Sequence, residues 1–182
     1  MTIIAILFVM FNNRWSQSAQ LQQRAACLVN LQQIGVALRI YAQENRGWFP
    51  MVPGAITSET PLSLLVPRDT SVTGIFICPG ANDKRLPEAE PFTSRKISYA
   101  YAMGLRTSDL ADRMLMADRL VALAARKTGD PLFSLNGKPP GTNHGQFGGN
   151  ILLLDGSAIE SGPIAEQNWP LNPNVTLVNP KP

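Results

Sequence analysis

SAQLQQRAACLVNLQQIGVALRIYAQEN, residues 18–45, is a segment with no proline and a single glycine. Its apolar residues recur at alternating spacings of four and three: Cys27, Leu31, Ile34, Leu38 and Tyr41. This spacing predicts a helix with one narrow apolar face, suited to lie against a sheet. Gly47 suits a left-handed C-terminal position and Pro50 follows closely, so we expect the helix to end near residue 46.

The segment before this helix is apolar over residues 2–10, TIIAILFVM. It is shorter than the roughly 20 residues that span a bilayer, and it lacks the basic start and small-residue cleavage site of a secretory signal. Two interpretations remain open, a buried helix start and the later half of a membrane anchor. A helix continuous from Thr2 would be about 65 Å long. Its first part, about residues 1–20, should therefore project from the domain into a membrane, a partner or a bundle of copies.

The remaining chain, residues 47–182, predicts one loop-rich, β-rich head. The 182 residues include 15 prolines and 14 glycines, which favour turns. A helical turn is expected at residues 61–66 and a surface excursion, with room for a flexible loop, at 122–141. Strands are predicted at 73–78, 97–103, 113–117, 150–154, 157–161 and 175–178. Asp155 and Gly156 form the turn of a hairpin. The predicted fold class is α+β, a long N-terminal helix (residues 1–46) packed on a small antiparallel sheet.

Charge and cysteine content exclude several classes of function. The net charge is +3 with no basic run longer than two residues, so nucleic-acid binding is not expected. Cys27 and Cys78 form either a disulfide or two buried thiols. The chain has no metal-ligand spacing of cysteine and histidine, which argues against zinc. Asp109, Asp112 and Asp118 lack the spacing of a calcium loop, so calcium is unsupported and no cofactor is expected.

His144 is the only histidine, and it lies in a glycine-rich stretch. With Asp118 and Asp155, each at a predicted strand end, it could form a metal or acid–base site. The chain would then be a small ligand- or metal-binding module, or a metal-dependent hydrolase. We favour the alternative that His144 bonds a hairpin carboxylate and fixes a loop, because no second histidine, nucleophile or paired glutamate accompanies it. No catalytic residue is therefore predicted.

Five segments together resemble a known family. They are residues 27–50, 76–80 (FICPG), 97–101 (ISYAY), 114–119 (MLMADR) and 143–158 (NHGQFGGNILLLDGSA). In this order they are similar to bacterial type IV pilin-like and type II secretion pseudopilin-like proteins. The similarity is to a subgroup with a C-terminal His-to-Asp-Gly motif, here His144, Asp155 and Gly156. Ten residues separate His144 from Asp155 where the subgroup has nine, so a bulge is expected near Gly148 and Gly149.

The resemblance implies a pilin-like roll and a structural subunit without catalysis of its own. It implies a membrane-born N-terminal helix that assembles with other pilin-like subunits, through Ile3, Ile4, Ile6, Leu7, Val9 and Met10. The head would face the periplasm from the inner membrane, or the outside of a cell-surface fibre. A disulfide between Cys27 and Cys78 would tie the helix to the first strand. The family's prepilin signature is absent, so we expect the chain to be N-terminally incomplete relative to that family.

Overall fold

The N-terminal helix is the longest element of the fold. The computed structural model describes the backbone of residues 2–182 and the side chains of residues 17–182. Helix α1 spans Thr2–Glu44 and is 43 residues long. It ends where Arg46 and Gly47 adopt left-handed conformations, with φ of 55° and 81°, at the predicted position. The side chains predicted for assembly lie outside the described ones: Ile3, Ile4, Ile6, Leu7, Val9 and Met10.

The head contains one antiparallel sheet of five strands in the order β4-β3-β2-β1-β5. The strands are β1 (Tyr99–Met103), β2 (Met114–Asp118), β3 (Gly149–Leu153), β4 (Ala158–Ser161) and β5 (Thr176–Val178). A short helix α2 (Glu59–Leu62) and two 3-10 helices (Ser63–Leu65 and Thr73–Phe76) precede the sheet. The α+β prediction of a long N-terminal helix on an antiparallel sheet is confirmed.

Helix α1 packs across β3 and β4 with the face that the sequence predicted. Cys27, Leu31, Ile34 and Leu38 are completely buried. Gly35 lies where the helix comes closest to β3, because a Cβ atom there would be 3.2 Å from the Cδ atoms of Leu152. The single glycine of the helix thus permits a close approach between helix and sheet.

One predicted strand is wrong. Residues 73–78 were expected to form a strand, but Thr73–Phe76 is a 3-10 helix, Ile77 is extended, and neither Ile77 nor Cys78 belongs to a strand. Ile75 and Phe76 are buried, and this 3-10 helix packs against α1. The β-branched and aromatic residues are therefore buried in the core beside α1 without forming a strand. This is possible because strand propensity reflects packing on a half-buried surface more than a preference of the backbone.

Residues 122–141 are packed against the head rather than forming a free loop. Leu132 and Phe133 belong to the core, and isolated bridges join Arg126 to Trp169 and Pro131 to Ile164.

The sheet has an irregularity in its register, and it is not at Gly148 and Gly149, where a bulge was expected. It lies in the pairing of β2 with β3, between Met114 and Met116.

The N-terminal helix is long and apolar enough to serve as a membrane anchor. In the part of the helix with described side chains, Gln17–Glu44 meets this criterion by length and composition, and 39% of its most apolar window is buried in the head. A core helix meets the same criterion.

Candidate functional site

Four side chains from separate parts of the chain meet in the interior. Cys27 comes from α1, Cys78 from the segment after the second 3-10 helix, Asp118 from the end of β2 and His144 from the loop before β3. Their sulfur, carboxylate and imidazole atoms lie within 4.8 Å of one another, and all four residues are buried. We call this group the cysteine–His–Asp cluster. The sequence had suggested only the pairing of His144 with Asp118, and the two cysteines were not expected there.

Cys27 and Cys78 form a disulfide, as the resemblance implied. The bond joins α1 to the segment that follows the 3-10 helix, and not to a first strand as expected. Both cysteines are fully buried, so the bond cross-links the helix to the head inside the core.

Asp118 is a fully buried carboxylate whose two oxygens are both occupied by donors. The side-chain amide of Asn143 donates to Oδ1 at 2.6 Å, and the backbone N–H of Asn150 donates to Oδ2 at 2.7 Å. Nε2 of His144 lies 3.3 Å from the same Oδ2. Asp118 is the last residue of β2, and Asn150 belongs to β3. The carboxylate therefore connects the two strands in addition to the backbone hydrogen bonds of their ladder.

The negative charge of Asp118 also affects Tyr99, its partner on β1. Burial, and next the charge of Asp118, raise the pKa of the Tyr99 phenol, while a hydrogen bond from Asn30 opposes the shift. The side-chain amide of Asn30 lies 3.4 Å from the Tyr99 hydroxyl oxygen. Tyr99 therefore stays neutral beside the cluster over the physiological pH range.

His144 is held between Asp118 and the disulfide. Its Nε2 atom lies 3.4 Å from Sγ of Cys78, and 1% of the residue is exposed. Gly80 provides the space for the imidazole, because a Cβ atom at this position would be 2.6 Å from Nδ1 of His144. The backbone N–H of Gly80 donates to Sγ of Cys78 at 3.3 Å. The FICPG segment and the NHG segment of the sequence are thus packed directly against each other.

A polar network supports the cysteine side of the cluster. The Ser98 hydroxyl accepts from the backbone N–H of Cys78 at 2.9 Å and donates to Asp83 at 2.7 Å. Asp83 pairs with Arg119 at 2.7 Å and with Lys96 at 3.4 Å. Because Arg119 directly follows Asp118, the network joins the Cys78 segment to the end of β2.

Arg24 holds the hairpin of β3 and β4 against α1. Its buried guanidinium donates to three backbone carbonyls, those of Phe147 (2.7 Å), Gly149 (3.2 Å) and Ser161 (2.9 Å). The backbone carbonyl of Arg24 accepts from the side chain of Asn150 at 2.9 Å. An arginine reaches separate carbonyls from two nitrogens held on one planar fork, whereas a lysine has a single nitrogen from which to donate.

We expect Arg24→Lys to lower the free energy of unfolding by about 2 kcal/mol, because the single nitrogen of a lysine leaves at least one of the three carbonyls without its donor, and one lost partner costs about 1 to 3 kcal/mol. Arg39→Lys is the matched control. Arg39 is on the same helix and donates to one carbonyl, that of Leu154, at 3.1 Å. The measurement is denaturant-induced unfolding of the full chain in mild detergent. Equal losses in the two variants would contradict this role of Arg24.

Asp155 does not join the cluster, which corrects the proposed combination of His144, Asp118 and Asp155. Asp155 is exposed at the turn between β3 and β4, where its Oδ1 accepts from the backbone N–H and the hydroxyl of Ser157 at 2.8 and 2.6 Å. These hydrogen bonds lower the pKa of Asp155. Gly156 follows with φ of 88°. Asp155 and Gly156 thus shape the turn, and His144 lies beside the carboxylate of Asp118 instead.

The cluster does not have the arrangement of a nucleophilic catalytic site. In a triad, the nucleophile and the orienting carboxylate contact opposite nitrogens of the imidazole. Here Cys78 and Asp118 both lie next to Nε2 of His144, and Nδ1 has no hydrogen-bond partner among the described residues. The sulfur of Cys78 is also engaged in the disulfide. What the arrangement can do is cross-link the helix, the loop and two strands.

A mostly apolar cavity of about 300 Å³ is lined by none of the four cluster residues. Its lining includes Leu105, Leu110, Arg113, Arg126, Trp169 and Leu171. None of the residues predicted as a site lies there.

Several residues of the site were not identified from the sequence: Arg24, Gly80, Ser98, Asn143 and Asn150. Asn143 and Asn150 flank the single histidine in the segment TNHGQFGGN, and this proximity was the available signal. Arg24 offered none, because an arginine in a glutamine-rich helix is most simply interpreted as solvent-exposed.

The chain matches no protein-family model, no curated protein and no solved structure. The class of protein is therefore defined by its architecture alone, a long apolar N-terminal helix carrying a disulfide-linked α+β head.

Proposed function

We propose that this chain is a non-enzymatic structural subunit that assembles with copies of itself, or with similar subunits, through its N-terminal helix. The observation that carries the proposal is an apolar stripe on α1, opposite the face that packs on the sheet. Leu21, Val29, Val36 and Ile40 are exposed by 52%, 47%, 60% and 39%. At 100° per residue these positions and the exposed Ala25 fall on one side of the helix, within an arc of about 100°.

Burying such a stripe against another helix is more favourable than leaving it exposed to water. The residues between its apolar positions include Gln22, Gln32 and Gln43, which carry no charge and can be buried in a helix–helix contact. Arg39 lies at the edge of the arc and donates to the backbone carbonyl of Leu154. A head of about 138 residues is about 37 Å across, whereas a 43-residue helix is about 65 Å long. The helix therefore extends beyond its own head and offers additional surface for assembly.

The disulfide and the apolar helix support an extracytoplasmic head on a membrane anchor. Disulfides persist in oxidising compartments, and an anchor of this kind leaves the head beside the membrane. With the resemblance to type IV pilin-like and type II secretion pseudopilin-like proteins, these features favour a pseudopilus-like or pilus-like assembly. Partners would be other pilin-like subunits and the inner membrane.

A point substitution on the stripe tests the proposal. We expect Val36→Glu to abolish assembly of the full chain while changing the free energy of unfolding by less than about 0.5 kcal/mol, because the side chain is exposed in the single subunit. A buried unpaired carboxylate in a helix–helix contact would oppose association strongly. The measurement is the size of assemblies by sedimentation and electron microscopy.

Gln33→Glu is the matched control, since Gln33 is exposed on the same helix and the substitution adds the same charge next to the apolar stripe rather than replacing one of its residues. Assembly should survive in this variant. Normal fibres or oligomers formed by Val36→Glu would contradict the proposed function.

A further inference from the structure

The cysteine–His–Asp cluster has the composition and spacing of a tetrahedral metal site whose two sulfur ligands are joined in a disulfide. We propose that, when the Cys27–Cys78 bond is reduced, the chain folds around one zinc ion held by Cys27, Cys78, Asp118 and His144. This inference is independent of the assembly through α1, because all four residues are buried beneath the helix.

Two of the six distances between ligand atoms fit a tetrahedron. With Zn–S of about 2.3 Å and Zn–N or Zn–O of about 2.0 Å, neighbouring ligand atoms in a tetrahedral site are about 3.3 to 3.8 Å apart. Nε2 of His144 is 3.3 Å from Oδ2 of Asp118 and 3.4 Å from Sγ of Cys78. These two edges already have the required length. The sulfur–sulfur edge must open, which requires breaking the disulfide.

The feature that is unsuitable for a catalytic triad is suitable for a metal site. The carboxylate and the sulfur both approach the same nitrogen of His144, so three ligand atoms converge on one point instead of forming a linear relay. Two thiolates, one imidazole and one carboxylate favour zinc, whereas calcium requires six to eight oxygen ligands. The donor set therefore selects against the calcium that the sequence left unsupported.

The groups around the ligands are those that orient a metal site. Both oxygens of Asp118 accept hydrogen bonds, from Asn143 and Asn150, and Sγ of Cys78 accepts one from the N–H of Gly80. Such outer hydrogen bonds fix the direction of ligand side chains. The ligands come from α1, the Cys78 segment, β2 and the loop before β3, so zinc would join α1 to the Cys78 segment as the disulfide does and would also hold β2 and the loop.

The two states interconvert by dithiol–disulfide exchange. A dithiol donor supplies two electrons and two protons, its own sulfurs form a disulfide, and the Cys27–Cys78 bond becomes two thiols. Zinc then displaces both thiol protons, which pass to solvent. Because the four residues are buried, this exchange and metal entry require an unfolded or opened chain. Zinc would therefore bind while the reduced chain folds, before the disulfide forms.

The test is refolding of the full chain in mild detergent. Protein is unfolded in denaturant with a phosphine reductant, refolded without oxygen in the presence of Zn²⁺ or of a chelator, and desalted. We expect about one zinc per chain in the reduced protein, and at least about tenfold less in protein refolded with its disulfide intact. Refolding with Co²⁺ should give the strong sulfur-to-cobalt absorption of a dithiolate tetrahedral site.

Variants identify the ligands. His144→Gln should weaken zinc binding by more than about a hundredfold, because removal of outer groups alone weakens metal sites about 10- to 100-fold. Asp155→Asn is the matched control and should bind zinc as the wild type does, since Asp155 is exposed outside the cluster. Absence of stoichiometric zinc in the reduced wild type, or a cobalt spectrum without two thiolates, would overturn the proposal whether or not His144→Gln folds.

Discussion

Asp118→Ala should lower the free energy of unfolding by about 4 kcal/mol. The substitution removes the acceptor of Asn143 and Asn150 and the neighbour of His144, and all these groups are buried. Removing one partner of a buried charged network costs about 3 to 5 kcal/mol, since the remaining donors are left without acceptors. The total free energy of unfolding of a typical domain is only about 5 to 15 kcal/mol, so the variant should be close to unfolding.

The measurement is the denaturant midpoint of the full chain in mild detergent, with Asp155→Ala as the matched control. Asp155 is exposed, and among the described residues its carboxylate accepts hydrogen bonds from Ser157 alone, so its replacement should cost less than about 1 kcal/mol. If the two variants lose the same stability, Asp118 is not the carboxylate that joins the strands.

The second large effect is expected from loss of the disulfide. Cys27 and Cys78 are 51 residues apart. Closing a loop of about this length lowers the entropy of the unfolded chain and so raises its free energy by about 4 kcal/mol. We therefore expect the double variant Cys27→Ala, Cys78→Ala to lose about that much stability. Small cavities left by the sulfur atoms add to the loss, because both side chains are fully buried.

Wild-type protein provides the comparison for this variant. Reduced wild type refolded with a chelator should lose nearly as much stability as the double variant, with a difference due only to the missing sulfur atoms, and the double variant should be indifferent to reductant. If the proposed zinc site forms, zinc should restore stability to the reduced wild type and leave the double variant unchanged. A double variant as stable as the oxidised wild type would show that the cross-link does not stabilise the head.

The local elements could be predicted because their signals are local. The period of the α1 core residues, the left-handed Gly47 and the turn at Asp155 and Gly156 each depend on a few neighbouring residues. The same holds for β1 to β3, which were indicated by the alternation of large and small residues in β1 and by short apolar runs in β2 and β3. Residues 73–78 contain more β-branched and aromatic residues, and Thr73–Phe76 still forms a 3-10 helix, because burial against α1 outweighs strand propensity.

The candidate site could be predicted only in part. His144 and Asp118 were selected as strand-end and loop residues of the right chemistry, and they are in contact. Asp155 was selected for the same reason and lies on the outside of a turn. Which of two carboxylates meets the histidine depends on the register between β2 and β3, and register is a property of the assembled sheet.

The sequence by itself determined a long amphipathic helix, an α+β head and a hairpin, because periodicity and turn residues act over short distances. Only the tertiary structure decided that Cys27, Cys78, Asp118 and His144 meet at one point. Their positions along the chain have no metal-ligand spacing, and four elements must pack before their side chains converge. Contacts between residues far apart in sequence depend on the packing of whole elements, which no local pattern encodes.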